Sequence, residues 1–289
     1  MVTCSEATGV SADPNLRTKY SFRAARCGIH DAAGAAAFMA NVSKKSGLTK
    51  WASISPDYEY GRDSTDLVFT AMKHFDARVQ IVAQVWPKVS TTDYSSHIRA
   101  LLKEKPDAIY SSLFGGDLAA FIEQALTTRL FEQSKFFAIN LGDFSVIQAV
   151  KGLPEGLYSG SRCHMDAPNT ASNKKFFEDY KGQYGELPIN WSQECYTGMK
   201  VLAEAIRKAG TTETEAVVKA LKDLTMKVPW GMPPYETVTM RGRDHTLVNY
   251  ATGWGRTISA FPFVVDVKLA PWDEILKYEE VWLEEKGWR

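Results

Sequence analysis

The chain has 289 residues, 45% of them apolar, with 34 basic and 34 acidic side chains and a formal net charge of zero. That apolar content fills one large domain or two smaller ones, and the even charge argues against a nucleic-acid binder, which carries a basic excess or stripe. No apolar run reaches the roughly 18–20 residues needed to cross a bilayer.

The first nine residues, MVTCSEATG, have neither the basic start nor the apolar stretch of a signal peptide, and read as a strand end and a loop. YSFRAAR (20–26) is a short strand. Asp31 opens a helix with Ala35, Phe38, Met39 and Val42 on one face, and Gly47 closes it. The chain is organised around KWASISPDYEYGRD (50–63): a buried strand over 51–55, a polar loop holding Tyr58 and Tyr60, and the start of a helix. In that helix Leu67, Ala71 and Phe75 form an i, i+4, i+8 stripe with Val68 and Met72 alongside. VQIVAQV (79–85) is a strand ended by Pro87. A helix over 93–104 buries Tyr94, Ile98, Leu101 and Leu102, and Lys105-Pro106-Asp107 stops it. The strand 108–113 leads into Phe114-Gly115-Gly116-Asp117 and a helix over 118–130. The strand 136–141 leads into Gly142-Asp143 and a short helix to Val150, and a turn at 152–156 precedes the strand 157–163.

This alternation predicts an α/β fold with a mainly parallel sheet covered on both faces and right-handed crossovers. The pattern changes after Asp166. Helices follow over 169–184 (Phe176, Phe177, Tyr180) and 191–209 (Tyr196, Met199, Leu202, Ile206); Gly210 caps the second, and a third covers 212–224. From Met226 the chain is irregular and β-like, with a strand pair at 237–240 and 246–250, another strand at 262–267, and an acidic, tryptophan-bearing helix over 272–289.

There is no GxSxG, HExxH, P-loop or GxGxxG. The Gly115-Gly116 pair lacks the Lys-Ser/Thr of a phosphate loop and reads as a turn that needs small residues. The histidines do not fall at metal-ligand spacing; His74 and His97 lie in helices, and His164 and His245 are weak catalytic candidates. Cys4, Cys27, Cys163 and Cys195 form no CxxC. They make two disulfides or stay as buried thiols, the second being favoured because a core of this size needs no staples. No catalytic residue, metal or cofactor is assigned. The informative feature is collective: loops that follow successive parallel strands gather at one sheet edge. Tyr58, Tyr60, Phe114, Gly115, Asn140 and Asp143 therefore converge although far apart in sequence. Rings that stack and desolvate, with a few amides and hydroxyls to orient, suit a small-ligand cleft. Folding back on the core is an equal reading for Tyr58 and Phe114, whereas Tyr60 favours the site.

Six strings in order resemble the type I periplasmic substrate-binding proteins, above all the leucine/isoleucine/valine-type receptors of ABC importers. They are SEATG with KYSFRAARCGIHDAAGA, SPDYEYGRD, KPDAIYSSLFGGDLAAFIEQA, LPEGLYSGSRCH, FFEDYKGQYGELPINWSQECYTGMKVLAEAIRKAG and RGRDHTLVNYATGWG. The resemblance implies two Rossmann-like lobes with mainly parallel sheets that close on a ligand, the first from 1–29 and 165–238 and the second from 30–164 and 239–289. Family chains carry a signal peptide and further βα units ahead of the SEATG position. The resemblance thus implies that Met1 is internal, that the first lobe is incomplete, and that the signal peptide of a periplasmic or extracytoplasmic protein is lost with the missing portion. Position by position, Ser5 and Thr8 match the loop that holds a ligand's carboxylate and amino group. Tyr60, before Gly61, matches an aromatic that packs on the ligand, and Phe114 stands where the family often has another. Where amino-acid receptors place a glutamate for the ammonium, this chain reads Asn140-Leu141-Gly142-Asp143. Asp143 is the substitute, and the departure leaves amides, urea and aromatic acids open beside amino acids. The implied function is a solute-binding component that delivers a small molecule to a membrane ABC permease, monomeric in its complete form, with no nucleic-acid partner. The alternatives are a cytoplasmic ligand-sensing regulator on the same fold and a doubly wound enzyme, for which no nucleophile or cofactor loop is found.

Overall fold

A computed structural model describes residues 2–3, 7–150 and 152–288. In chain order, β1 (Val2–Thr3), the single turn α1 (Gly9–Ala12) and β2 (Phe22–Arg23) precede the long helix α2 (Gly28–Ser46). Strands and helices then alternate: β3 (Lys50–Ile54), α3 (Glu59–Phe75), β4 (Gln80–Val85), α4 (Ser95–Glu104), β5 (Ala108–Ser111), α5 (Gly115–Leu126), the turn α6 (Leu130–Gln133), β6 (Lys135–Ala138), α7 (Phe144–Ala149) and β7 (Tyr158–Gly160). Next come α8 (Ala171–Tyr184), α9 (Asn190–Ala209) and α10 (Thr214–Leu221), then β8 (Leu224–Met232), β9 (Thr237–Met240), β10 (Leu247–Val248), β11 (Gly253–Thr257), β12 (Val264–Leu269) and α11 (Trp272–Lys286). The chain divides into two compact units.

The second unit, Ala32–His164 with Thr252–Pro271, is built on a seven-stranded sheet in the order β12-β11-β7-β6-β5-β3-β4. From β7 to β4 every pairing is parallel, and β11 and β12 add antiparallel strands at one side. The apolar stripes expected from the sequence do the packing: Leu67, Val68, Ala71 and Met72 of α3 are buried, as are Ile98 and Leu101 of α4. Ala52 and Ile54 of β3 lie in one core cluster with Tyr94, Leu101, Phe121, Ile122 and Phe136. On adjacent strands Phe137 and Tyr158 sit opposite each other and stack at 4.4 Å, a cross-strand aromatic pair of the kind that fixes register. At the opposite end of the sheet from the strand C-termini, one carboxylate oxygen of Asp107 accepts the Thr49 and Lys50 N–H groups at 2.8 Å each, lacing β3 to the start of β5.

The first unit comprises Met1–Asp31, Met165–Ala251 and Trp272–Arg289. Its described strands form a parallel pair, β1-β2, and an antiparallel sheet, β10-β9-β8, joined by a bridge between Arg23 and Thr246. The sequence assigned all of 239–289 to the second lobe; here 239–251 and 272–289 group with the first instead. The reason is a buried cluster. Trp272 donates its indole N–H to the Tyr250 carbonyl at 2.6 Å and packs edge-on against both Tyr250 and His30 at 4.9 Å. His30 meets Glu279 of α11 at 2.9 Å, and Arg241 donates to both oxygens of that carboxylate at 2.7 and 2.8 Å. Burial alone would raise the Glu279 carboxyl; the His30 imidazole and the Arg241 bonds outweigh it and hold the group well below the usual carboxylate range.

Helix α9 departs from the face its apolar residues suggest. Tyr196 and Met199 are exposed, while Gln193, Glu194 and Thr197 face inward. Two of the three meet buried partners: Glu194 lies 3.6 Å from the Arg26 guanidinium, and Thr197 accepts the Trp230 indole N–H at 2.5 Å. Cys195 is likewise exposed, whereas Cys27 and Cys163 are the buried thiols expected; Cys4 lies outside the described residues.

Candidate functional site

Because β3, β5, β6 and β7 run parallel and in register, their following loops share one edge of the second unit's sheet. The loop after β3 carries Tyr58 and Tyr60 into the first turn of α3. Tyr58 is 41% exposed and Tyr60 half-buried, with ring centroids 6.0 Å apart. Gly61 allows this helix to start close to the loop, since a Cβ there would stand 2.0 Å from the Pro56 carbonyl oxygen. After β5, Phe114 precedes α5 in extended conformation and turns its ring edge-on to Tyr60 at 6.0 Å. Gly115 follows with φ +50°, a left-handed turn that favours glycine.

After β6, Asn140 is 6% exposed and ties three loops together. Its amide nitrogen donates to the Leu113 carbonyl at 3.1 Å and to the Tyr60 hydroxyl at 3.4 Å. Its amide oxygen accepts from Nη1 of Arg162, two residues beyond β7, at 3.3 Å. The sequence predicts strand over 157–163, which hides Arg162; β7 ends at Gly160, and that early end places Arg162 in the edge loops. Serines line the same edge: Ser55 accepts from Thr65 at 2.9 Å, and Ser159 accepts the Gly142 N–H at 2.7 Å.

Asp143 is buried, and one of its oxygens accepts both the backbone N–H and the hydroxyl of Ser145, at 3.0 and 2.6 Å. It is the N-cap of α7, so at least that oxygen is engaged by the helix start. Thr8 belongs to the first unit, is buried, and accepts the Ile29 N–H at 3.0 Å as α2 begins. Ser5 lies outside the described residues. The structure thus brings together Tyr58, Tyr60, Phe114, Gly115 and Asn140, with Asp143 beside them in a capping role.

The catalytic alternatives lose ground. His164 meets the Pro262 carbonyl at 3.1 Å, and His245 stacks on Phe22 at 4.2 Å with Nδ1 3.1 Å from the Ser21 carbonyl. Burial pushes the His245 imidazole below its ordinary value. Among the described residues no cluster of His, Cys, Asp and Glu is arranged to hold a metal, and no helix is long and apolar enough to cross a membrane.

A family described as periplasmic binding protein matches residues 3–252. No protein with a curated description matches the sequence. Among solved structures, a periplasmic binding protein from Burkholderia mallei is similar at TM-score 0.79 and 15% identity, over 95% of this chain and 70% of that one. An ABC-transporter solute-binding protein from R. palustris in complex with benzoate is similar at TM-score 0.78 and 15% identity, over 93% and 71%. The leucine-, isoleucine-, valine-, threonine- and alanine-binding protein of Brucella ovis, in a closed conformation, is similar at TM-score 0.76 and 18% identity, over 93% and 68%. At these identities the likeness shows a shared fold.

Proposed function

This chain belongs to the periplasmic binding protein family, and we propose that it is the solute-binding component of an ABC importer, taking a small polar or amphipathic molecule at the loop edge of its second unit. The observation that carries the reading is the convergence of Tyr60, Phe114 and Asn140 from three separate loops. Two rings set edge-on offer an apolar wall, and a buried amide tied to a hydroxyl gives direction: contacts that bind and orient but transfer nothing. Proteins of this fold are named for branched-chain amino acids or hold benzoate, which supports an amino acid, an amide or an aromatic acid as the ligand class. The engagement of Asp143 with Ser145 weakens the case for an ammonium partner there. The protein works outside the cytoplasm, and ligand binding shifts a conformational population that the membrane permease reads.

A thermal-shift screen of amino acids, their amides and aromatic acids tests this. A true ligand at a hundredfold over its Kd stabilises by about 2.7 kcal/mol and is recovered unaltered. Conversion of the bound compound, or no shift with any of the three classes, refutes the proposal.

A further inference from the structure

We propose that the first unit carries a second binding site, an aromatic groove between α8 and α9 that takes a small quaternary ammonium cation. The groove measures about 610 Å³, inside the range of about 300–1,000 Å³ usual for small-molecule sites. All of its lining residues belong to the first unit, so it is separate from the loop edge of the second. The order of residues along α8 builds one wall. Phe176, Tyr180 and Tyr184 recur at i, i+4 and i+8 and therefore share a helix face. Tyr196 of α9 continues the row beside Phe176. Neighbouring ring centroids stand 6.2, 4.6 and 5.3 Å apart with planes tilted by 46–52°, which makes a curved wall and not a flat stack. Tyr180 and Ser192 share a hydrogen bond at 3.1 Å that pins the middle ring between the two helices. Tyr184 and Tyr196 are exposed, and the other two rings are only half-buried.

Charge complementarity selects the occupant. Asp179 lines the same groove, and its carboxylate accepts from Lys175 Nζ at 2.8 and 3.0 Å. Both partners of that i, i+4 pair are exposed to water, where such a pair contributes little and yields to a competing cation. At the other end of the row Lys200 Nζ lies 5.8 Å from the Tyr196 ring centroid, so the wall already draws a side-chain cation. The negative faces of aromatic rings attract a positive charge, and a carboxylate beside them adds to the attraction. A quaternary ammonium has no N–H to satisfy, and its methyl groups fit the apolar rings. A primary ammonium needs acceptors for three N–H groups, and an anion meets Asp179 and the ring faces with the wrong sign.

The test is calorimetric titration with choline and with 3,3-dimethylbutan-1-ol, which has the same shape with carbon in place of the charged nitrogen. Choline is expected to bind about tenfold or more tighter than the neutral alcohol. Tyr184→Leu and Asp179→Asn, both at exposed positions, should each weaken choline by about fivefold or more, whereas Tyr60→Ala at the loop edge should leave it within about twofold. The choline-to-alcohol ratio of the unaltered protein decides the matter even where a variant does not fold. No choline binding up to about 10 mM, or an alcohol that binds as tightly, overturns the proposal. Choline binding lost in Tyr60→Ala but kept in Tyr184→Leu places the cation elsewhere and overturns it too. So does a dimer in sedimentation velocity that Tyr184→Leu dissociates, because a second copy then covers the groove. None of these results bears on the solute site at the loop edge.

Discussion

Replacing Gly61 by alanine is expected to loosen the start of α3 and, with it, the seat of Tyr60. The added Cβ would lie 2.0 Å from the Pro56 carbonyl oxygen, about 1 Å inside the closest approach a side-chain carbon makes. The loop cannot simply yield, because backbone bonds hold it on both sides of Pro56. Ser55 donates to the Val85 carbonyl at 3.1 Å, Asp57 to the Pro87 carbonyl at 2.8 Å, and Tyr58 to the Pro56 carbonyl itself at 2.9 Å. Overpacking of this kind costs about 1–3 kcal/mol. For a unit of about 150 residues, 2 kcal/mol lowers the melting temperature by about 4–8 °C, and moves a urea midpoint by about 1 M at a slope near 2 kcal/mol/M. Gly116→Ala is the control: a Cβ there meets nothing within 4 Å, and alanine in α5 should be neutral or stabilising by up to about 1 kcal/mol. Urea unfolding followed by far-ultraviolet circular dichroism measures both. Equal midpoints for the two variants would refute the steric argument.

Glu279→Gln should flatten the acid limb of stability. The folded carboxyl is depressed, so its contribution is present above the unfolded value near 4.3 and is lost as pH falls toward the folded one. Between pH 6 and pH 3 the unfolding free energy from urea melts should fall further for the parent than for the variant, by more than about 1.4 kcal/mol; parallel losses would contradict the pairing with His30 and Arg241. Tyr94→Phe should be neutral or stabilising by about 1 kcal/mol, since the Tyr94 hydroxyl is buried without a hydrogen-bond partner, and a large loss of stability would show that it has one. Among Cys27, Cys163 and Cys195, iodoacetamide should label only exposed Cys195 in the native protein. Burial pushes the Cys27 thiol up to about 11, and its labelling at the same rate, read by mass spectrometry, would contradict its burial.

The parallel strands and their helices were legible because each carries its own signal: β3 and β5 are short apolar runs bounded by breakers, and α3 and α4 show apolar residues every three to four positions. Position at the sheet edge followed from topology alone, which is why Tyr60, Phe114 and Asn140 were legible as a group. Strand ends were not. Past Ala138 and Gly160 the residues on either side of Asn140 and Arg162 (Ile139, Leu141, Ser161 and Cys163) are still apolar or small and extend the strand pattern, yet the strands stop at Ala138 and Gly160, and those shortfalls create the loop positions of Asn140 and Arg162. β11, GWGRT, reads as loop because glycine is poor in strands; only its pairing with β7 and β12 makes it one. The inward polar face of α9 was hidden for the same reason, since Arg26 and Trp230, which face Glu194 and Thr197, come from distant segments.

The most direct test of the account is the affinity of Tyr60→Ala, by isothermal titration, for the compound that gives the largest thermal shift with the unaltered protein. The variant should bind at least about tenfold more weakly, a loss of about 1.4 kcal/mol or more, while keeping its fold by circular dichroism. Unchanged affinity would contradict the placement of the ligand site at the loop edge of the second unit.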